Sequence, residues 1–220
     1  MKPARPWLKA YGPGVPADID PDEHASLVAL LESSFERFAA LPAFTNLGTT
    51  LTFADVERQS RAFAAYLQSV PGLASGDRVA LMMPNTLQYV VALFGVLRAG
   101  LVAVNVNPLY TVPELVHQLA DSGAKAIVVV ENFANTVAAA LPATALQTVI
   151  VSRLGDHHPL PKRLVVNFVV KFVRRLVRPY RLSSAVAYRA ALAKGASLEY
   201  RRPQIGGGDR KSTRLNSSHT

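Results

Sequence analysis

The chain has 220 residues, 50% of them hydrophobic, with 15 prolines, 13 glycines and no cysteine. That length can bury a core without staples, and the missing thiols exclude disulfide frameworks, thiolate zinc sites, iron–sulfur clusters and cysteine nucleophiles. The formal charge of +9 is uneven: residues 1–150 hold 9 Lys/Arg against 12 Asp/Glu, and residues 151–220 hold 15 against 3, so a basic tail follows a near-neutral body.

Residues 1–24 read as an N-terminal extended segment. Met1–Pro6 lead into no apolar stretch, which argues against a signal peptide. Asp18, Asp20 and Asp22 mark a turn and a helix start rather than an acid/base pair. Ala25–Leu41 is amphipathic at helical spacing, with Leu27, Leu30, Leu31, Phe35 and Phe38 on one side. After the Asn46-Leu47-Gly48 turn comes a short strand around Leu51. Thr52, with Asp55 three residues on, caps a helix running to about Val70.

Arg78–Met83 is a compact apolar strand, and Pro84-Asn85 turns it into a helix from about Leu87 to Arg98. The stretch Leu87–Val106 comes nearest to a membrane span, but Arg98 and Gly100 break it. Leu101–Asn105 is a strand, and Thr111 with Glu114 forms a capping-box pattern opening Glu114–Asp121. Ala126–Val130 is a β-branched strand, Asn132–Leu141 a crossover helix and Gln147–Val151 a further strand. Apolar strands alternating with helices predict an α/β fold with an open, mainly parallel sheet and flanking helices. This unit spans 25–153, with a basic helical segment over 154–208.

Signatures of chemistry are sparse. There is no G-x-G-x-x-G, G-x-S-x-G or H-E-x-x-H pattern. His24, His117, His157, His158 and His219 include one adjacent pair, and neighbours in sequence do not converge on one metal position. Gly206–Thr213 approaches a phosphate-binding loop, but Arg210 stands where the glycine before the lysine is required and no apolar strand precedes it. Asp209–Thr220 resembles a translated sequencing adapter, and is set apart from the protein proper.

Five stretches carry a resemblance. Leu51–Val56 is similar to the first core motif of adenylate-forming enzymes, and Leu97–Pro108 to the second. Gly76–Gln88, Val104–Thr111 and Val165–Lys171 resemble bacterial long-chain fatty-acid–CoA ligases, and the similarity runs from about Trp7 to Pro203. The resemblance implies the incomplete N-terminal part of an adenylate-forming domain. The full-length enzyme would use ATP and Mg2+, with CoA as co-substrate, to convert a long-chain fatty acid through an acyl-adenylate into its CoA thioester. By that resemblance the phosphate-binding loop begins shortly after Pro203, so no catalytic, cofactor-binding or metal residue transfers, and the fragment is expected to be inactive alone. Asn85 and Tyr110 are open to either a role near a site or one in capping and packing.

The basic segment is the other informative feature. At 100° per residue, Asn167, Lys171, Arg174, Arg175 and Arg178 fall within an arc of about 100°, with valines and phenylalanines over the broad remainder. Pro161 and Pro179 bracket it as one helix. Such a face reads either as an interfacial helix on an anionic membrane, each cation contributing about 1 kcal/mol, or as a helix packed on the rest of an enzyme. The candidate membrane contacts are Arg163, Lys171, Arg174, Arg175, Arg178, Phe168 and Phe172. Nucleic acid is disfavoured, because no aromatic platform interleaves the cations. The expected location is the cytoplasm, peripherally on the inner face of the cell membrane, with a homodimer compatible for the full-length enzyme. The alternative is a self-contained α/β binding module with a membrane-docking helix and no catalysis.

Overall fold

The computed structural model describes residues 5–20 and 23–205. Asp22, the glycine run Gly206–Gly208 and the adapter-like tail lie outside those residues, as do the readings made for them.

A 3₁₀ turn at Pro6–Ala10 precedes α1 (Leu27–Arg37), and a two-stranded antiparallel ribbon follows from β1 (Pro42–Asn46) and β2 (Thr49–Thr52). The sequence reading missed β1. The two residues joining the strands, Leu47 and Gly48, have φ of 46° and 68°, which fits a tight primed hairpin turn. Then come α2 (Phe53–Gln68), β3 (Arg78–Met82), α3 (Leu87–Arg98), β4 (Val102–Asn105), α4 (Val112–Ser122) and β5 (Ala124–Val130). They are followed by α5 (Ala134–Ala140), β6 (Thr148–Ser152), α6 (Leu160–Phe168), β7 (Val186–Ala187) and α7 (Tyr188–Ala196). The capping boxes expected at Thr52 and Thr111 both form, and Thr86 caps α3 by accepting from the Tyr89 amide.

The main sheet is five-stranded, ordered β4-β3-β5-β6-β7, and every pairing in it is parallel. Period-2 alternation sorts its side chains onto two layers. Val79, Leu81, Ala126, Val128 and Ile150 face a core shared with Val56, Phe63 and Leu67 of α2, Val91 and Val96 of α3, and Tyr188 and Ala191 of α7. Ala80, Met82, Ile127, Val129 and Val149 face Leu115 and Leu119 of α4 and Val137 and Ala140 of α5. Burying each large side chain of this kind stabilises the fold by about 1.5–3 kcal/mol.

Two expectations need correction. In α1 the buried residues are Val28 and Phe35, while Leu27 and Leu30 are exposed. The helix covers the sheet's helical layer with one narrow stripe, in which Phe35 meets Phe94 at 6.1 Å between ring centroids. The basic helix expected over 163–178 is shorter and broken. It starts at Leu160 with Pro161 in its first turn, loses α geometry after Phe168, and widens into a π turn over Val169–Val173. Arg174 N–H donates to Val169 O and Leu176 N–H to Val170 O, closing this wide end, with Arg175 in the left-handed region at φ 51°. Clustered valines restrict side-chain rotamers in a helix and so favour early termination. A single helical wheel therefore does not describe Arg174, Arg175 and Arg178.

Candidate functional site

In a parallel sheet the loops beyond the strands' carboxyl ends hold the ligand-facing groups, above all where the strand order reverses. Here the chain runs from β3 outward to β4, then crosses back to β5. The helices after β3 and β5 lie on opposite layers. The carboxyl edge is therefore open at β3 and β5. Asn85, just beyond β3, is exposed. Tyr110, beyond β4, packs against the second core layer, which is the packing alternative left open for it.

Polar side chains concentrate one strand further on. Val130 pairs in register with Ser152, so the next residues, Glu131 and Arg153, leave β5 and β6 side by side. Glu131 is 5% exposed. Its Oε1 accepts from Lys171 Nζ at 3.3 Å and from the Tyr180 hydroxyl at 3.2 Å, and its Oε2 pairs with Arg153 Nε at 3.4 Å. Burial first, and then the Glu131 charge, push the Tyr180 phenol up from its ordinary value, which keeps it a donor. One carboxylate thus serves two cations. Sequence reasoning missed Glu131, Arg153 and Tyr180; a charge directly after each of two apolar parallel strands is the signal that could have found the first two.

Helix α6 and its π turn close one side of this cluster. Gly155 lets the helix approach: a Cβ there would lie 2.7 Å from Asn167 Oδ1 and 2.8 Å from Arg163 O. Asn167 turns inward to accept the Gly155 amide at 2.9 Å, away from the cations with which the helical wheel grouped it. Lys162 Nζ donates to Leu47 O in the hairpin. Val166, Val169 and Val170 are half-buried, and so is Arg163.

The outer side of the helix is apolar and uncovered. Leu160, Leu164, Val165, Phe168, Phe172, Val173 and Leu176 are 54–61% exposed. Phe168 and Phe172 pack on each other with their rings tilted by 41° and centroids 5.3 Å apart. Lys171, Arg174, Arg175 and Arg178 are exposed along the same segment. Of the candidate contacts, the structure brings Phe168, Phe172 and Lys171 around one cleft. Arg178 lines a neighbouring one with Tyr180 and Arg181, and Arg163 stays on the packing side.

The histidine pair serves the fold. His157 Nε2 lies 3.2 Å from the Tyr188 hydroxyl, and His158 Nδ1 contacts Thr49 Oγ1. Burial, helped by the Arg189 charge, holds His157 neutral down to about pH 4. Among the described residues no group of three or more His, Asp or Glu could hold a metal ion. No helix of the described residues is long and apolar enough to cross a membrane.

Residues 31–178 match the AMP-binding enzyme family. Over 199 residues the chain is 55% identical to a long-chain-fatty-acid–CoA ligase of Escherichia coli O6:H1, covering 90% of this chain and 36% of that protein. It is 50% identical to the Haemophilus influenzae protein of the same description, with 90% and 35% covered. The chain thus spans about a third of the length of these curated relatives. Among solved structures, an anthranilate CoA ligase in complex with anthranoyl-AMP superposes with a TM-score of 0.66 at 17% identity, covering 86% of this chain and 32% of that one; at that identity the likeness concerns the fold alone.

Proposed function

Because this chain belongs to the AMP-binding enzyme family, we propose that it supplies the N-terminal part of a long-chain fatty-acid–CoA ligase held on the inner face of the cell membrane. In that reaction the fatty acid carboxylate attacks the α-phosphorus of ATP, releasing pyrophosphate and leaving an acyl-adenylate. The CoA thiol then attacks the acyl carbon and AMP departs. The observation that carries the reading is the identity of 50–55% to ligases of this description over 90% of the chain. The rival reading, a non-catalytic binding module, rests on the exposed helix alone.

The described residues enter this reading as the scaffold of the reaction. Their part is structural and positional: a rigid parallel sheet, a carboxyl edge bearing Glu131, Arg153 and Lys171, and an apolar helix face. That face and the exposed cations beside it suit an anionic bilayer surface.

A chimera tests the ligase reading. Replacing the matching segment of the Escherichia coli relative with residues 7–203 should preserve oleoyl-CoA synthesis within about tenfold, whereas the 220-residue chain alone should give no oleate-dependent ATP–pyrophosphate exchange. A folded chimera without ligase activity, or exchange by the chain alone above a blank, would contradict the proposal.

A further inference from the structure

The segment after Phe168 holds a shape that its own sequence opposes. Lys171 to Leu176 are six consecutive exposed residues, so cations and apolar side chains intermingle there with no common side. Continued as an α-helix at about 100° per residue, the same stretch would sort into three sectors. Val166, Val170 and Val177, each half-buried now, would share the side turned to the protein. Phe172, Val173 and Leu176 would extend the outward apolar side begun by Phe168. Lys171, Arg174, Arg175 and Arg178 would occupy one arc of about 100° between those two.

Repulsion adds to the valine run in ending the helix in water. Lys171 stands three and four residues before Arg174 and Arg175, and these stand four and three before Arg178. Like charges at those spacings destabilise a helix, and residues 160–180 contain no Asp or Glu to relieve them. The broken form relieves this crowding, at a cost. Arg175 sits in the left-handed region at φ 51° without being glycine. Backbone bonds at Arg174 and Leu176 reach back five and six residues instead of four. The side-chain ties to the neighbouring strand end are long: Asn132 Nδ2 donates to Leu176 O at 3.4 Å and Lys171 Nζ to Glu131 Oε1 at 3.3 Å.

We propose that residues 169–177 are a membrane-triggered switch: on an anionic bilayer the π turn and the left-handed Arg175 refold into a continuation of α6. Lipid phosphates neutralise the four cations and remove the repulsion, while Phe172, Val173 and Leu176 leave water for the acyl boundary. Pro179 sets the far limit, because the residue before a proline disfavours helical geometry. The one-sided face beyond Phe168 then exists only where a bilayer covers it. This switch rests on the bilayer-facing role proposed for α6, and adds a change of shape that adsorption alone does not require.

Because the chain has no cysteine, single cysteines placed in turn at positions 170–177 can each carry a nitroxide. Oxygen accessibility of the label is then read in solution and on phosphatidylglycerol vesicles. In solution the profile should lack a helical period. On the anionic vesicles it should show a period of about 3.6 residues, with labels at 172, 173 and 176 most accessible to oxygen and labels at 170 and 177 shielded. Phosphatidylcholine vesicles should leave the solution profile unchanged. Arg175→Ala and Arg175→Gly remove the same charge but favour the helix and the left-handed turn respectively. The alanine variant should therefore bind anionic vesicles about fivefold or more tighter than the glycine variant. Binding with an aperiodic profile, a helical period already present without lipid, or equal binding by the two variants would overturn the switch while leaving the bilayer-facing role intact. Absence of vesicle binding by the folded chain would overturn both.

Discussion

Arg98 shows how one side chain can join elements distant in sequence. Its guanidinium is 2% exposed, yet it reaches Glu57 Oε1 at 2.9 Å, Glu57 O at 2.8 Å and Ser60 Oγ at 3.0 Å. It also lies 3.7 Å from Glu32 on α1 and over the rings of Phe35 and Tyr200. A charge this deep is tolerated only when paired and hydrogen-bonded. Arg98→Met should lower stability by about 3 kcal/mol, at the low end for breaking a buried pair, because Glu32 and Glu57 keep partial solvent access. Arg98→Lys should retain part of that loss, since an ammonium cannot reproduce the fork. Urea denaturation reads both, and a loss below about 0.5 kcal/mol for the methionine variant would contradict the role. In the sequence Arg98 reads only as an interruption in an apolar stretch, because nothing local says that Glu32, Glu57 and Tyr200 converge on it.

At the scale of elements, legibility followed the strength of local signals. Helix α3 lies where the sequence reading put it, because Pro84-Asn85 and Gly100 punctuate it and Thr86 caps it. The two-residue β7 and the alanine-rich α7 carry no comparable signal. They are placed by tertiary packing: α7 sets the fully buried Tyr188 against Phe63, with ring centroids 5.4 Å apart. The contact is close enough that a Cβ on Gly195 would lie 1.8 Å from Ala62 O. Gly195→Ala must therefore push α7 off α2. Overpacking of this order costs about 1–3 kcal/mol or more, and hydrogen exchange should show earlier opening of residues 186–196 while α4 stays protected. Unchanged exchange across α7 would contradict the docking. The basic segment misled in the opposite way: its periodicity is regular over 163–178, but the valine run and the left-handed Arg175 end the helix early. The sequence could still identify its cations and phenylalanines, but not that Asn167 faces inward.

Over the whole molecule, charge and apolar exposure coincide. The basic third that composition revealed is concentrated around one edge of the sheet, where Arg153, Lys171, Arg174, Arg175 and Arg178 neighbour the uncovered side of α6. The proposed function reads this uncovered apolar side as the bilayer-facing surface. Two phenylalanines entering the bilayer interface would contribute several kcal/mol, on the scale of about 1.5–3 kcal/mol each, and the cations would add a salt-sensitive part. Co-sedimentation of the 220-residue chain with phosphatidylglycerol vesicles against phosphatidylcholine vesicles tests this most directly. The account predicts at least tenfold stronger binding to the anionic vesicles at low salt, weakened by added salt, and a further loss of tenfold or more in the double variant Phe168→Ser/Phe172→Ser. Equal binding to both vesicle types, or a double variant that binds like the parent, would contradict it.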